Sequence, residues 1–124
     1  MTRETHQLVR GYVTDFSIKK VFNQGIARFD VEIALSSEWR EDAAKTVMRF
    51  MDARKVCYGD AHDGINFGAY VCLSVEDVSS DGWDGIRFKA DNIEGDCRLS
   101  LYCRSFDVEE VSRVSLPDAC TVLL

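Results

Sequence analysis

The side chains best suited to chemistry are five thiols, two imidazoles and a dense run of carboxylates. Cys57, His62 and Cys72 lie near one another along the chain, while His6 is far off. Such a set could hold a metal, but zinc sites usually pair their ligands at short fixed spacing such as Cys-x₂₋₄-Cys. The spacings here are Cys57-x₄-His62 and Cys97-x₅-Cys103, and neither matches well. A thiolate nucleophile would need an adjacent base, which His62 and its orienting neighbour Asp63 could supply. Several cysteines sit within strand-like alternation, however, where a free thiol packs as a small hydrophobe. In Asp81-Gly82-Trp83-Asp84-Gly85 two acids and an aromatic share one loop. Sugar hydrolysis needs two carboxyls facing each other across a cleft, and one loop does not supply that. The loop also lacks the twelve-residue calcium pattern with its closing Glu. It reads first as a turn, with Gly82 and Gly85 giving the backbone its freedom. Walker, GxGxxG, HExxH and GxSxG patterns are absent from the chain. The expectation is a non-enzyme, with no catalytic residue, no bound metal and no cofactor.

The carboxylates point instead to a surface. The chain has 15 bases and 21 acids, a net charge of −6. That balance argues against direct binding to nucleic acid or an anionic membrane, since phosphates demand a basic footprint. The charge is uneven: residues 60–96 hold Asp60, Asp63, Glu76, Asp77, Asp81, Asp84, Asp91, Glu94 and Asp96 against only Arg87 and Lys89. An acidic surface of this kind suits a basic protein partner, because opposite fields speed encounter. Asp63, Asp81, Asp84 and Asp91 are the expected contact carboxylates. Trp83 is either their aromatic anchor or part of the core.

The elements that must position these residues read as strands. At 124 residues and 46% apolar content the chain can bury one core, so residues 1–124 form one domain. In 29–35 the odd positions Phe29, Val31, Ile33 and Leu35 are apolar, and Asn23-Gln24-Gly25 is a hairpin turn, so 8–35 predicts a hairpin. Upstream, Tyr12, Phe16 and Ile18 alternate with Val13, Asp15 and Ser17. Alternation of Val71, Leu73 and Val75, then Ile86, Phe88 and Ala90, then Leu99, Leu101 and Cys103 predicts a three-stranded meander over 70–108. The middle is ambiguous. A short helical turn near 38–44 followed by a strand near 46–57 is the preferred reading, and a single helix over 38–54 is the alternative. Leu116-Pro117-Asp118 opens a tail. The fold class is mainly β (α+β if the helix forms): one antiparallel sheet, as a sandwich or partly open barrel, with at most one short helix near 38–54.

No apolar run follows Met1, and no stretch approaches the roughly 18 apolar residues of a membrane helix. With an odd number of cysteines and no CxxC pair, free thiols in a reducing compartment are expected. The predicted location is cytoplasmic.

The last third adds a resemblance. Ile86-Arg87-Phe88-Lys89-Ala90, then Glu94-Gly95-Asp96, then Leu101-Tyr102-Cys103-Arg104-Ser105-Phe106-Asp107-Val108, resembles the closing strands of small bacterial β-rich proteins found in toxin–immunity neighbourhoods. The resemblance covers about a third of the chain and carries over no catalytic residue. It implies a cytoplasmic module that neutralises a cognate toxin, often a basic nuclease, through the acidic surface. Three other readings stand beside it: a self-assembling β protein that pairs its edge strands into a homo-oligomer, a small enzyme or metal or thiol protein using Cys57, His62 and Cys72, and a ligand-binding β domain with a pocket between sheets.

Overall fold

The computed structural model describes residues 5–40, 43–59, 69–82, 84–95 and 97–111. Among these, the chain forms β1 (Thr5–Asn23), β2 (Ile26–Ser36), β3 (Lys45–Met51), β4 (Arg54–Gly59), β5 (Tyr70–Asp77), β6 (Phe88–Asn92), β7 (Arg98–Cys103) and β8 (Ser105–Val111). All pairings are antiparallel, in one sheet of order β4-β7-β6-β5-β1-β2-β3-β8. The only helical element among the described residues is a 3₁₀ turn at Ser79–Asp81. No helix there is long and apolar enough to cross a membrane.

The β1–β2 hairpin forms where the sequence places it. Asn23 pairs with Ile26 across a two-residue turn in which Gln24 and Gly25 both take positive φ, 53° and 82°. That is the turn whose twist matches the flanking strands. Upstream, the alternation is broken. Val13 pairs with Leu35 but Asp15 with Ala34, so Thr14 is an extra residue, a β-bulge. The bulge turns both Val13 and Phe16 toward the core. Tyr12 therefore does not share a face with Phe16. It lies outside, edge-on to Trp39 and Tyr70 at 5.8 and 4.9 Å.

β1 is shared between two halves of the sheet. Its residues up to Tyr12 pair with β5, and those from Tyr12 onward pair with β2. A second device joins the halves. Lys45 pairs with Val111, Met51 with Ser105 and Arg54 with Tyr102, so β3–β4 and β7–β8 keep one register across a corner. The corner lies at Asp52-Ala53 on one chain path and at Arg104 on the other. The end strands of the sheet are thus continuations of inner ones, and the sheet rolls into a partly open barrel. Side chains meet across its interior: Phe16 of β1 stacks on Tyr58 of β4 at 4.6 Å, and Phe88 of β6 meets Phe106 of β8 at 5.0 Å. Val31, Ile33, Met48, Phe50, Leu73, Val75, Leu99 and Leu101 fill the centre.

Three expectations need correction. Among the described residues, 38–40 and 43–54 contain no helix and no helical turn. Residues 37–40 are bends, held by Ser36 Oγ donating to Glu38 O at 2.6 Å, and residues 41–42 lie outside the described residues. The period of two prevails in β3, where Met48 and Phe50 are fully buried. The expected strand 46–57 is two strands, because the corner falls inside it. The meander is β5-β6-β7 as read, but it ends at Cys103. Residues 105–108 belong to β8, which pairs with β3.

At Gly11 the β1 backbone passes too close to β2 for a side chain: a Cβ would lie 2.8 Å from Ser36 O and 3.0 Å from Leu35 Cβ. Gly11→Ala is expected to destabilise the fold by about 1–3 kcal/mol through overpacking. Gly25→Ala meets no atom within 4 Å and loses only the left-handed preference, about 1–2 kcal/mol. Urea denaturation of both variants checks this. A Gly11→Ala midpoint equal to that of the parent would refute the close approach.

Candidate functional site

Of the expected contact residues, the structure describes the side chains of Asp84 and Asp91. Asp63 and Trp83 lie outside the described residues, and Asp81 closes the 3₁₀ turn. Asp84 is exposed in the loop between β5 and β6, and its carbonyl accepts a long hydrogen bond from Arg54 Nη1 at 3.4 Å. Asp91 is half-buried on β6, opposite Ser74 and Ser100. Between these two acids lie cations. Lys89 is paired with Tyr102, which is paired with Arg54. The ammonium groups of Lys55 and Lys89 stand 5.9 and 5.6 Å from the Tyr102 ring. Other acids of the 60–96 run have local duties. Glu94 pairs with Arg10 at 3.3 Å, and Asp77 Oδ1 accepts from Ser79 N at 2.8 Å and Ser79 Oγ at 2.5 Å.

The carboxylates that do converge come from two strands, β2 and β8, and meet on a third. Arg49 of β3 lies 2.8 Å from Glu32, 3.5 Å from Asp107 and 3.1 Å from Glu109. Its guanidinium pKa is raised first by the hydrogen bond it donates to Glu109 and then by the one it donates to Glu32. Strand alternation alone could have turned these acids outward, but not shown that β2, β3 and β8 are neighbours.

The thiols are also kept apart. Cys57 is on β4 and Cys72 on β5, three strand spacings away in the sheet, or about 14 Å, too far to share one ion. His62 is outside the described residues, and no metal-binding cluster occurs among those described. Cys72 and Cys103 are buried, while Cys57 is exposed. Burial pushes the Cys103 thiol up to about 12, with Asp52 adding to the shift, so it stays a neutral packing group.

What the fold does assemble is an arm with a cleft at its base. The outer part of the β1–β2 hairpin, residues 17–30, extends past the point where β3 begins to pair at Val31. Ile18 faces Val31, Lys20 faces Phe29 and Phe22 faces Ala27 across the hairpin, so one face continues the core outward. There Ile18 is 54% exposed, Phe22 65% and Phe29 47%, with Ile26 at 73% on the other face. The Lys20 ammonium stands 5.2 Å from the Phe22 ring. Sequence reasoning found these strands but missed their exposure, because the apolar alternation of 16, 18 and 22 is that of a buried strand. The signal that could have revealed it is Lys20, which interrupts that row.

The arm is tied to the corner of the β3–β4 path. Ala53 N donates to Phe29 O at 2.6 Å, and Asp52 N donates to Asp30 Oδ1 at 3.0 Å. Arg28 Nη2 donates to Asp30 Oδ2 at 3.2 Å. Its Nε is buried and lies 3.1 Å from Asp30 Oδ1, but out of line for a hydrogen bond. On the corner, Asp52 meets Arg54 at 3.4 Å and Arg104 at 3.9 Å. Between arm and corner opens a cleft of about 400 Å³ whose charged lining is Arg28, Arg54, Arg104 and Asp52.

No family model matches the chain, and no curated protein or solved structure matches it either.

The thiol environments carry a prediction. A disulfide reagent at pH 8 is expected to modify Cys57 in the folded protein and to reach Cys72 and Cys103 only on unfolding. Rapid native labelling at Cys103 would refute its burial. The raised Cys103 pKa means that the folded state holds this proton longer than the unfolded state. Its contribution is present below about pH 9 and is lost as pH rises toward about 12, which pH-dependent urea melts of the parent and Cys103→Ser will read.

Proposed function

We propose that the chain is a non-enzymatic protein-binding module of the immunity type that its last third resembles, and that the β1–β2 arm meets the partner. One observation carries this reading. Four large apolar side chains, Ile18, Phe22, Ile26 and Phe29, stand about half exposed or more on a two-stranded extension. Burying one such side chain contributes about 1.5–3 kcal/mol, so leaving four in water is uneconomical without an occupant. Along residues 17–23 of β1 and 26–30 of β2 the outer edges have no ladder partner among the described residues. Such edges accept an added strand, with alternate side chains read by the flanking surface.

Charge narrows the partner. Lys19, Lys20 and Arg28 stand on the arm against Asp30. The complementary segment is apolar and carries carboxylates. A basic partner was expected from the 60–96 run, whose described acids are interleaved with cations, and the arm therefore carries the contact better.

A second copy of the chain is the other reading that an observation favours. Around Ser17 the β1 edge is self-complementary: antiparallel pairing with itself sets Asp15 against Lys19 and Phe16 against Ile18.

Replacing Ile18 and Phe22 together by Ser is expected to weaken partner binding about 100-fold, the scale of an interface hot spot. Both side chains are exposed, so the thermal midpoint should move by only a few degrees. The measurement is capture by the tagged protein from its own cell extract and with neighbouring gene products, parent against variant, followed by titration of what is captured. A partner that survives Ile18→Ser/Phe22→Ser but is lost on charge reversal at Asp84 and Asp91 overturns the assignment to the arm. Sedimentation over a concentration series separates the second reading, which a strict monomer eliminates.

A further inference from the structure

The cleft beneath the arm has a different chemistry from the arm. We infer that it binds a small phosphomonoester, gripped by Arg54 and Arg104 on the corner and by Arg28 on the arm. This inference does not rest on the reading of the arm as a partner site.

Three observations support it. The first is charge. The lining holds three guanidinium groups and one carboxylate, and its remaining polar side chains, Asn23, Gln24 and Ser105, can all donate. Asp30 neutralises Arg28 from the arm, which still leaves an excess of positive charge. The second is proximity. A Cβ on Gly85 would stand 3.1 Å from Arg54 Nη2 and 3.7 Å from Arg104 Nη2, so both guanidiniums gather over one glycine. Like charges held together need an anion between or beside them. Asp52 supplies one carboxylate to the pair, at 3.4 and 3.9 Å, and the second distance is too long for a hydrogen bond. The third is support. Arg54 Nη1 donates to Asp84 O, and the corner that carries both arginines is fixed by Arg104 N donating to Met51 O at 3.0 Å.

A tetrahedral dianion suits this arrangement better than a planar carboxylate. A guanidinium fork pairs two oxygens of either group. A phosphomonoester brings a third free oxygen and a second charge for the second arginine, whereas a carboxylate must share its two oxygens and single charge. A cleft of about 400 Å³ lies within the range of small-molecule sites, and Ile26, Ala27 and Met51 offer an apolar wall for the organic part.

The test is titration of the full chain at low salt with inorganic phosphate and with glycerol 3-phosphate, following the arginine side-chain amides by NMR. Acetate and chloride serve as controls. Saturable shifts at Arg54 and Arg104 are expected for both phosphates, tighter for the ester, with weaker effects of acetate. Arg54→Gln and Arg104→Gln should each weaken binding about tenfold. Lys55→Gln and Lys89→Gln, on cations outside the cleft, should leave it unchanged. Asp52→Asn tests the opposite sign: removing the resident carboxylate should tighten phosphate binding several-fold, which misfolding cannot imitate. Several outcomes overturn the inference: no saturable shift up to about 10 mM, acetate binding as tightly as phosphate, equal losses from the Lys variants, or weaker binding by Asp52→Asn.

Discussion

The bent ladder between β3–β4 and β7–β8 is the constraint on which the rest of the structure depends. An antiparallel pair can turn a corner only by giving up hydrogen bonds, and freed backbone groups in a buried place must find other partners. Here they do. Ala53 N goes to Phe29 O, Asp52 N to the Asp30 carboxylate and Arg104 N to Met51 O. Asp52 takes φ 56°, a left-handed conformation that Asp tolerates better than most residues. Register survives the corner, so the same two chain paths serve both halves of the sheet. The core is closed by this continuity, with Phe50, Phe88 and Phe106 packed beside the bend.

Local features were legible in the sequence, and long-range ones were not. Asn23-Gln24-Gly25 sets its own backbone, and Val71-Leu73-Val75 and Leu99-Leu101-Cys103 sort themselves by period two. The Thr14 bulge left no mark, because one extra residue reverses the faces of β1 without altering composition. The corner at Asp52 was equally hidden. Across 38–54 the same letters fit a helix or a strand, and only the burial of Met48 and Phe50 decides between them.

Charge density along the chain says less about a surface than the apolar period says about a strand, for a related reason. Density in sequence becomes density on a surface only if the topology keeps the residues together. The run 60–96 spans two strands and their loops, and β7 and β4 lay Tyr102, Lys55 and Arg54 beside its acids. Glu32 is far in sequence from Asp107 and Glu109, yet all three meet at one arginine. The arginine cleft is of the same kind, since Arg28, Arg54 and Arg104 are unremarkable until the corner and the hairpin bring them to one place.

The arm and the cleft share their supports. A two-stranded hairpin is marginally stable alone. Beyond Val31 the arm leans on the bonds from Ala53 to Phe29 and from Asp52 to Asp30. Those residues also shape the cleft: Asp52 holds Arg54 and Arg104, and Asp30 holds Arg28. Asp30 and Asp52 are therefore common supports of the arm and of the cleft. A partner on the arm and an anion in the cleft, bound as proposed, would each act on Arg28 and the corner, and so on one another. Coupling of this kind is reciprocal by thermodynamic necessity. Its strength rests on two hydrogen bonds and a few exposed ion pairs, which places it at the weak end of the usual range, about 1 kcal/mol.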